Sequence, residues 1–283
     1  MSKNELEILG LRVDAVSFSE AMNLIENFSK DGSKHLITTP YAESVVASRQ
    51  DVEFRRIVNT SALAVPDGSG LLAAADYLRY RLPKNKFLRI ILALFLGLWV
   101  GVKLAFFRKS FKVLKEPVHG TDLLISICSL SARRSLKVYL LGGLNREVAA
   151  RSARILKGMF PGLEIKADCG PINLQSASAD EIDDVIRGIN DFTPDFLFIA
   201  FKPVAQEKWL SANMGRIDAK VFMAVGGAFD MISGYKKRAP RFMRSIGLEW
   251  LWRLIIEPSR FKRIYNAVIV FPWLVFREKL RTR

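Results

Sequence analysis

The chain has 283 residues and a net charge of +15; half of its residues are apolar and a quarter are charged. That is enough chain for one large domain or two small ones with a real core, and the composition excludes a disordered polymer. Two cysteines and two histidines exclude a disulfide framework and a cysteine-built zinc site, speak against a His-based metal centre, and fit a reducing compartment.

The N-terminal residues MSKNELEILG lack the apolar stretch of a secretory signal. Ser17 and Glu20 form a capping-box pattern that opens a helix running to about residue 30. Residues 35–38 read as a short strand, 42–50 and 51–59 as helices, 62–65 as a strand ending at Pro66, and 69–78 as a helix. A greasy basic stretch follows. Thr121 is placed to cap a helix through 133. The run LKVYLL (136–141) reads as a buried strand, with Gly142-Gly143 and a helix over 146–158 behind it. Residues 163–167 read as a strand, 180–190 as a helix, FLFIA (196–200) as a strand, 205–214 as a helix, and KVFMAV (220–225) as a strand meeting Gly226-Gly227. This alternation predicts an α/β fold, a mainly parallel sheet with helices on both faces. Ligands of such sheets bind at the carboxyl ends of the strands. Four places qualify: Thr39 after the first of these strands, Asp67-Gly68, Gly142-Gly143, and Gly226-Gly227.

The charge is concentrated. Residues 79–115 hold ten Lys/Arg and no Asp/Glu, and residues 233–283 hold thirteen Lys/Arg against three acids. Each region also contains thirteen uncharged, mostly apolar residues in a row, at 90–102 and 264–276. A spanning helix needs about 20 apolar residues. With basic side chains snorkelling, 87–107 just reaches across a bilayer, but a helix or hairpin lying in one leaflet is the more natural reading. Trp99, Tyr265 and Trp273 suit a membrane interface, and the basic residues suit an anionic cytoplasmic leaflet. The competing readings are a core helix or an oligomer interface, and Pro272 interrupts the second run. Nucleic acid is not expected, because the basic stretches alternate with Leu, Ile and Phe runs and no nucleic-acid motif is present.

Asp67 follows a strand in VPDGSG, where a general base would stand, although from spacing alone a helix N-cap explains it as well. Gly68 permits close backbone approach, and the helix behind it offers N–H groups to an anion. GSGLLA is a weak dinucleotide fingerprint, but no acidic residue stands about 20 positions on, so NAD is set aside. Gln206-Glu207 opens a helix, and Asp230 follows GGAF as a cap or as part of a strand-end cleft. No D-x-D triplet exists to hold a metal on a nucleotide diphosphate. Arg253, Arg260 and Arg263, at offsets of seven and three, would share one side of a helix and clamp a diphosphate, or form a solvated basic face.

Residues 225–263 carry Phe229-Asp230, Gly234, Arg238-Ala239-Pro240, Gly247-Leu248-Glu249-Trp250, Arg253-Leu254 and Glu257-Pro258 with Arg260. This run resembles the signature of the WecG/TagA/CpsF glycosyltransferases, glycosyltransferase family 26. Pro66-Asp67-Gly68, Gly120 with Asp122, Leu141-Gly142-Gly143 and Gln206-Glu207 with Trp209 add to the likeness, which covers nearly everything outside 80–115. The resemblance implies a Rossmann-like core (1–80 and 116–235) and a C-terminal basic helical appendage near the membrane (236–283); the insert 81–115 goes beyond the family pattern and is read as membrane-associated from its own composition. It implies an inverting, metal-independent, cofactor-free transfer of an N-acetylmannosamine-like sugar, glucose-like sugar or uronic acid. The donor is a UDP-sugar and the acceptor a polyprenyl-diphosphate-linked glycan, at the cytoplasmic face of the plasma membrane in cell-surface polysaccharide synthesis. It assigns Asp67 as catalytic base with Thr39 beside it. It gives Gln206 to the nucleotide sugar and Arg253, Arg260 and Arg263 to the diphosphate; Gly68, Gly142, Gly143, Glu207, Gly226 and Asp230 are added as candidate nucleotide-sugar residues from their places in the chain, and Arg238 as a candidate for the diphosphate or acceptor. The sequence departs from the family at Tyr41, where T-P-N is usual, at Phe201–Glu207, where L-G-x-P-K-Q-E is usual, and at Glu116–Gly120, where E-R-V-x-G is usual. The alternative these departures favour is a non-catalytic scaffold of a polysaccharide assembly complex. A homo-oligomer is left open.

Overall fold

The computed structural model describes residues 5–107, 110–171, 173–174, 176–237, 239–240, 243 and 248–281. A hairpin of β1 (Glu5–Ile8) and β2 (Leu11–Asp14) precedes α1 (Phe18–Phe28), β3 (His35–Thr38), α2 (Ala42–Ser48), α3 (Val52–Thr60), β4 (Leu63–Ala64) and α4 (Ser69–Arg79). The long helix α5 (Lys86–Phe106) leads to α6 (Gly120–Arg134), β5 (Lys137–Gly142), α7 (Arg146–Met159), β6 (Glu164–Asp168) and α8 (Ala179–Asn190). Then come β7 (Phe196–Ala200), α9 (Ala205–Asn213), β8 (Val221–Ala224) and α10 (Ala228–Ile232). The C-terminal part holds α11 (Glu249–Ile256), α12 (Phe261–Tyr265) and α13 (Phe271–Arg281).

Strands β3 to β8 form one parallel sheet in the order β4-β3-β8-β7-β5-β6. Successive side chains point to opposite faces. Phe196 and Phe198 of β7 enter a core with α1, α6, α7 and α10, while Leu197 and Ile199 enter another with α3, α8 and α9. Strands β5 and β8 divide their side chains the same way, so both sheet faces are covered and the central strands read as continuous apolar runs. The strand order places β8 beside β3, and their carboxyl ends open one crevice.

A third core lies beyond the β4 edge. It joins the hairpin (Ile8, Leu11, Val13), α2, α4, Val100 of α5, and Phe271 and Val275 of α13. The hairpin was not read from sequence. Its buried Asp14 accepts the Ala64 N–H at 2.8 Å and takes two bonds from Arg12, so a carboxylate completes the edge of β4.

Three local expectations change, and one open alternative closes. Thr121 does not cap α6, whose N-cap residue is His119, and that side chain bonds elsewhere. Of the helix or hairpin expected over 87–107, the structure has the helix. The chain is helical from Phe261 to Arg281 despite Pro272, because a π-turn over Asn266–Val270 widens the helix just before the residue that lacks an N–H. Arg253, Arg260 and Arg263 do not share a helix, since Glu257-Pro258 breaks it and starts a short 3-10 turn.

Helix α5 has two chemically different sides. Ala93, Val100 and Lys103 are buried against the domain. Its contacts there include a Tyr77 hydroxyl donating to the Ala93 carbonyl at 3.1 Å and Arg89 donating to the Leu280 carbonyl of α13 at 3.1 Å. Lys103 Nζ meets the fully buried Asp76 at 2.5 Å, and Arg79 holds the other oxygen of that carboxylate at 2.6 Å. The opposite side exposes Phe87, Leu88, Phe95, Trp99, Val102 and Phe106.

Candidate active site

A cleft of about 1210 Å³ opens at the carboxyl edge of the sheet and reaches α4, α5, α11 and the C-terminal helices. Thr39, Asp67, Gly68, Gly143, Gln206, Glu207, Gly226, Asp230, Arg253, Arg260 and Arg263 all line it. Arg238 lies outside the described residues. Gly142 does not line it. Its φ of +101° and the Ala200 carbonyl, 2.7 Å from where a Cβ would stand, require glycine for backbone packing.

Asp67 is held by backbone on both sides: its N–H donates to the Pro40 carbonyl at 2.9 Å, and Val118 donates to the Pro66 carbonyl at 2.8 Å. It is not a helix cap. The N-cap residue of α4 is Gly68, at φ +88°, and no side chain caps the helix. The carboxylate instead meets His119, with Oδ1 2.7 Å from Nδ1. Both side chains are half-buried in the cleft wall. Sequence reasoning did not single out His119. Its only signal was position, one residue before Gly120 in the 116–120 segment that the family resemblance picks out. Thr39 donates to the Ala224 carbonyl at 3.4 Å, which ties the ends of β3 and β8.

Gln206 and Glu207 stand in the first turn of α9 and are buried. Gln206 Oε1 accepts from the N–H groups of Phe201 (3.3 Å) and Gly226 (3.2 Å), so this side chain fixes two strand-end loops. Its Nε2 donates to Glu207 Oε1 at 2.9 Å. Glu207 Oε2 is buried without a hydrogen-bond partner, and burial raises this carboxyl above the usual carboxylate range. Val204, just before α9, sits at φ +72°, a costly conformation for a β-branched residue, within the segment that departs from the family pattern.

Asp230 pairs with Lys236 at 2.8 Å, and Lys236 also meets Glu257 at 3.2 Å. Arg260 bonds Glu257 at 2.7 Å. Burial acts to raise Glu257, but Arg260 and Lys236 outweigh it and hold the carboxyl below its usual range. Arg263 Nε lies 2.9 and 3.0 Å from the two Glu43 oxygens, and its Nη2 donates to the Tyr41 hydroxyl at 2.8 Å. Burial raises the Tyr41 phenol well above its ordinary value. The departure at Tyr41 therefore bears on an arginine. Tyr41 and Glu43 set its position, and sequence reasoning assigned neither.

These features define an α/β protein whose cleft gathers carboxylates, a histidine and arginines at the carboxyl edge of a parallel sheet. The sequence profile of the WecG/TagA/CpsF glycosyl transferase family matches residues 6–94 and 85–283, and the chain belongs to that family; it is a glycosyltransferase. It is similar to the N-acetylglucosaminyldiphosphoundecaprenol N-acetyl-beta-D-mannosaminyltransferase of Staphylococcus aureus strain MRSA252. The two are 23% identical over 281 residues, which cover 99% of this chain and 95% of the relative. The protein of the same name from strain NCTC 8325 is 22% identical over the same coverage.

Proposed function

We propose that this glycosyltransferase moves an N-acetylmannosamine-type sugar from a UDP-sugar to a polyprenyl-diphosphate-linked glycan, with inversion and without a metal, at the cytoplasmic membrane face. The observation that carries this reading is the single cleft in which Asp67, His119, Arg253, Arg260 and Arg263 meet. The names and full-length coverage of the Staphylococcus aureus relatives support the sugar and the acceptor.

The acceptor hydroxyl attacks the anomeric carbon on the face opposite the leaving UDP. The new C–O bond forms as the bond to the diphosphate breaks, and the hydroxyl proton passes to Asp67. His119 donates from Nδ1 to one carboxylate oxygen and leaves the other for that proton. A base so placed supplies about 10²–10⁴ in rate. The arginines and the uncapped start of α4 face the charge that develops on the diphosphate.

The test is UDP release from a panel of UDP-sugars with a short polyprenyl-diphosphate-linked N-acetylglucosamine acceptor, with and without EDTA. Acceptor-dependent release with UDP-N-acetylmannosamine that EDTA leaves unchanged is the expected result. Release that EDTA abolishes and magnesium restores overturns the metal-free step. No acceptor-dependent release with any donor overturns the reading.

A further inference from the structure

The cleft has an apolar half that the chemistry above does not use. It runs along α4, α5 and α13, where Ala74, Ala93, Gly97, Gly101 and Val275 line it. We propose that this half seats the isoprenoid tail of the acceptor, with the tail lying along α5 inside the protein before it enters the bilayer. The proposal rests on the acceptor class argued under Proposed function.

Three observations carry it. The first is continuity. The same cleft is lined by apolar residues of α4, α5 and α13, by Arg260 and Arg263, and by Asp67. A polyprenyl-diphosphate sugar offers one part to each: hydrocarbon, diphosphate, and the hydroxyl that reacts. The second is the pair of glycines. Glycine is the poorest helix former after proline, yet two stand four residues apart in α5. Protein packing does not demand them: a Cβ on Gly101 would meet nothing within 4 Å, and one on Gly97 only the Tyr77 ring at 3.8 Å. Their missing side chains leave room on the cleft side. The third is polarity. The polar groups of α5 that face the domain are already engaged, Lys103 with Asp76 and Arg89 with main-chain carbonyls. The wall left to a ligand is hydrocarbon.

Gly97 and Gly101 also have the spacing that lets two membrane helices pair. A second copy of α5 is the lesser occupant, because the glycines line the cleft and lie on the side of the helix away from Phe95, Trp99 and Phe106.

The experiment uses the full-length enzyme in detergent. A benzophenone-bearing farnesyl diphosphate is photo-crosslinked and the adducts are mapped by mass spectrometry. In parallel, kcat/KM is measured with long-chain and short-chain acceptors for wild type and for Gly101→Ala, Gly101→Leu and Gly97→Leu. Leucine favours the helix, and thermal melting verifies that each variant is folded. Adducts are expected within 93–104 and on α4, and are expected to fall in Gly101→Leu. The long-chain to short-chain ratio of kcat/KM should drop about tenfold or more in the leucine variants, the loss expected when a buried isoprene unit is displaced, and little in Gly101→Ala.

An unchanged ratio, or adducts confined to the outer residues around Phe95 and Trp99, overturns the proposal. So does a change of oligomeric state in Gly101→Leu, which assigns the glycines to a second copy. Adducts in the groove without transfer from any UDP-sugar would defeat the reading of function and leave the groove standing. Transfer with no groove adducts and no chain-length effect would defeat the groove alone.

Discussion

Asp67 and His119 share one hydrogen bond, so their roles separate only by substitution. With Asp67 as base and His119 positioning it, Asp67→Asn lowers kcat by about 10²–10⁴. His119→Ala lowers it less, and His119→Gln, which keeps a donor, recovers part of the loss. Equal losses from Asp67→Asn and both His119 variants would make the imidazole the base. Glu207 gives a second residue-scale prediction, in stability. Its folded carboxyl is raised by burial, so between the unfolded and folded values the native state holds the extra proton. Stability from this site is full below the unfolded value and is lost as pH rises through the folded one. Glu207→Gln should therefore melt higher than wild type at neutral pH, with the difference closing near pH 4. A difference that does not vary with pH would show that Glu207 is ionised in the folded protein.

At the scale of elements, α5 is docked by charge as well as by apolar contact. Asp76 is fully buried between Lys103 and Arg79, and removing one partner of a buried pair typically costs about 3–5 kcal/mol. Lys103→Met should destabilise strongly. The double variant with Asp76→Asn should recover much of the loss, because no uncompensated carboxylate remains. Additive losses in chemical denaturation would show that the two side chains do not interact. The same helix shows what sequence reading reaches. Periodicity and a cap placed α1, α7, α8 and the buried strands β5 and β7 because their signals are local: the capping box at Ser17, helical periodicity, and unbroken apolar runs. The N-terminal hairpin escaped because four-residue strands around Leu9-Gly10 carry little pattern. That Asp67 and Arg253, Arg260 and Arg263 stand at one cleft was legible from their motifs. The Asp67–His119 bond joins residues 52 apart and the Arg263–Glu43 pair residues 220 apart, and spacing says nothing about such contacts. That α5 would turn one side to the cleft was hidden for the same reason.

At the scale of the molecule, the two basic, apolar regions pack together through α5 and α13. Phe95, Trp99 and Phe106 of α5 are exposed, as are Ile269 and Trp273 of the C-terminal helical run, and α5 packs on α13. Helix α5 is long and apolar enough to cross a bilayer, yet Lys103, Arg89 and Tyr77 bind one side of it to the domain. These contacts hold one side of α5 to the domain, so the membrane association proposed above predicts that its other, exposed side inserts into a single leaflet. Two forces then act together. The cationic residues add about 1 kcal/mol each on an anionic surface and are screened by salt, while buried apolar side chains hold on in salt. Flotation on vesicles separates the two. Binding should be stronger on anionic than on zwitterionic vesicles at low salt, and a part of it should survive 1 M salt. Replacing Phe95, Trp99 and Phe106 together with serine should remove the salt-resistant part. Burying each such side chain is worth about 1.5–3 kcal/mol, so the triple variant should lose at least a hundredfold in partitioning. None of the three lines the cleft, so turnover of a short, soluble acceptor reports whether the fold is intact. Unaltered flotation of a folded triple variant would mean that this side of α5 meets another protein surface rather than lipid.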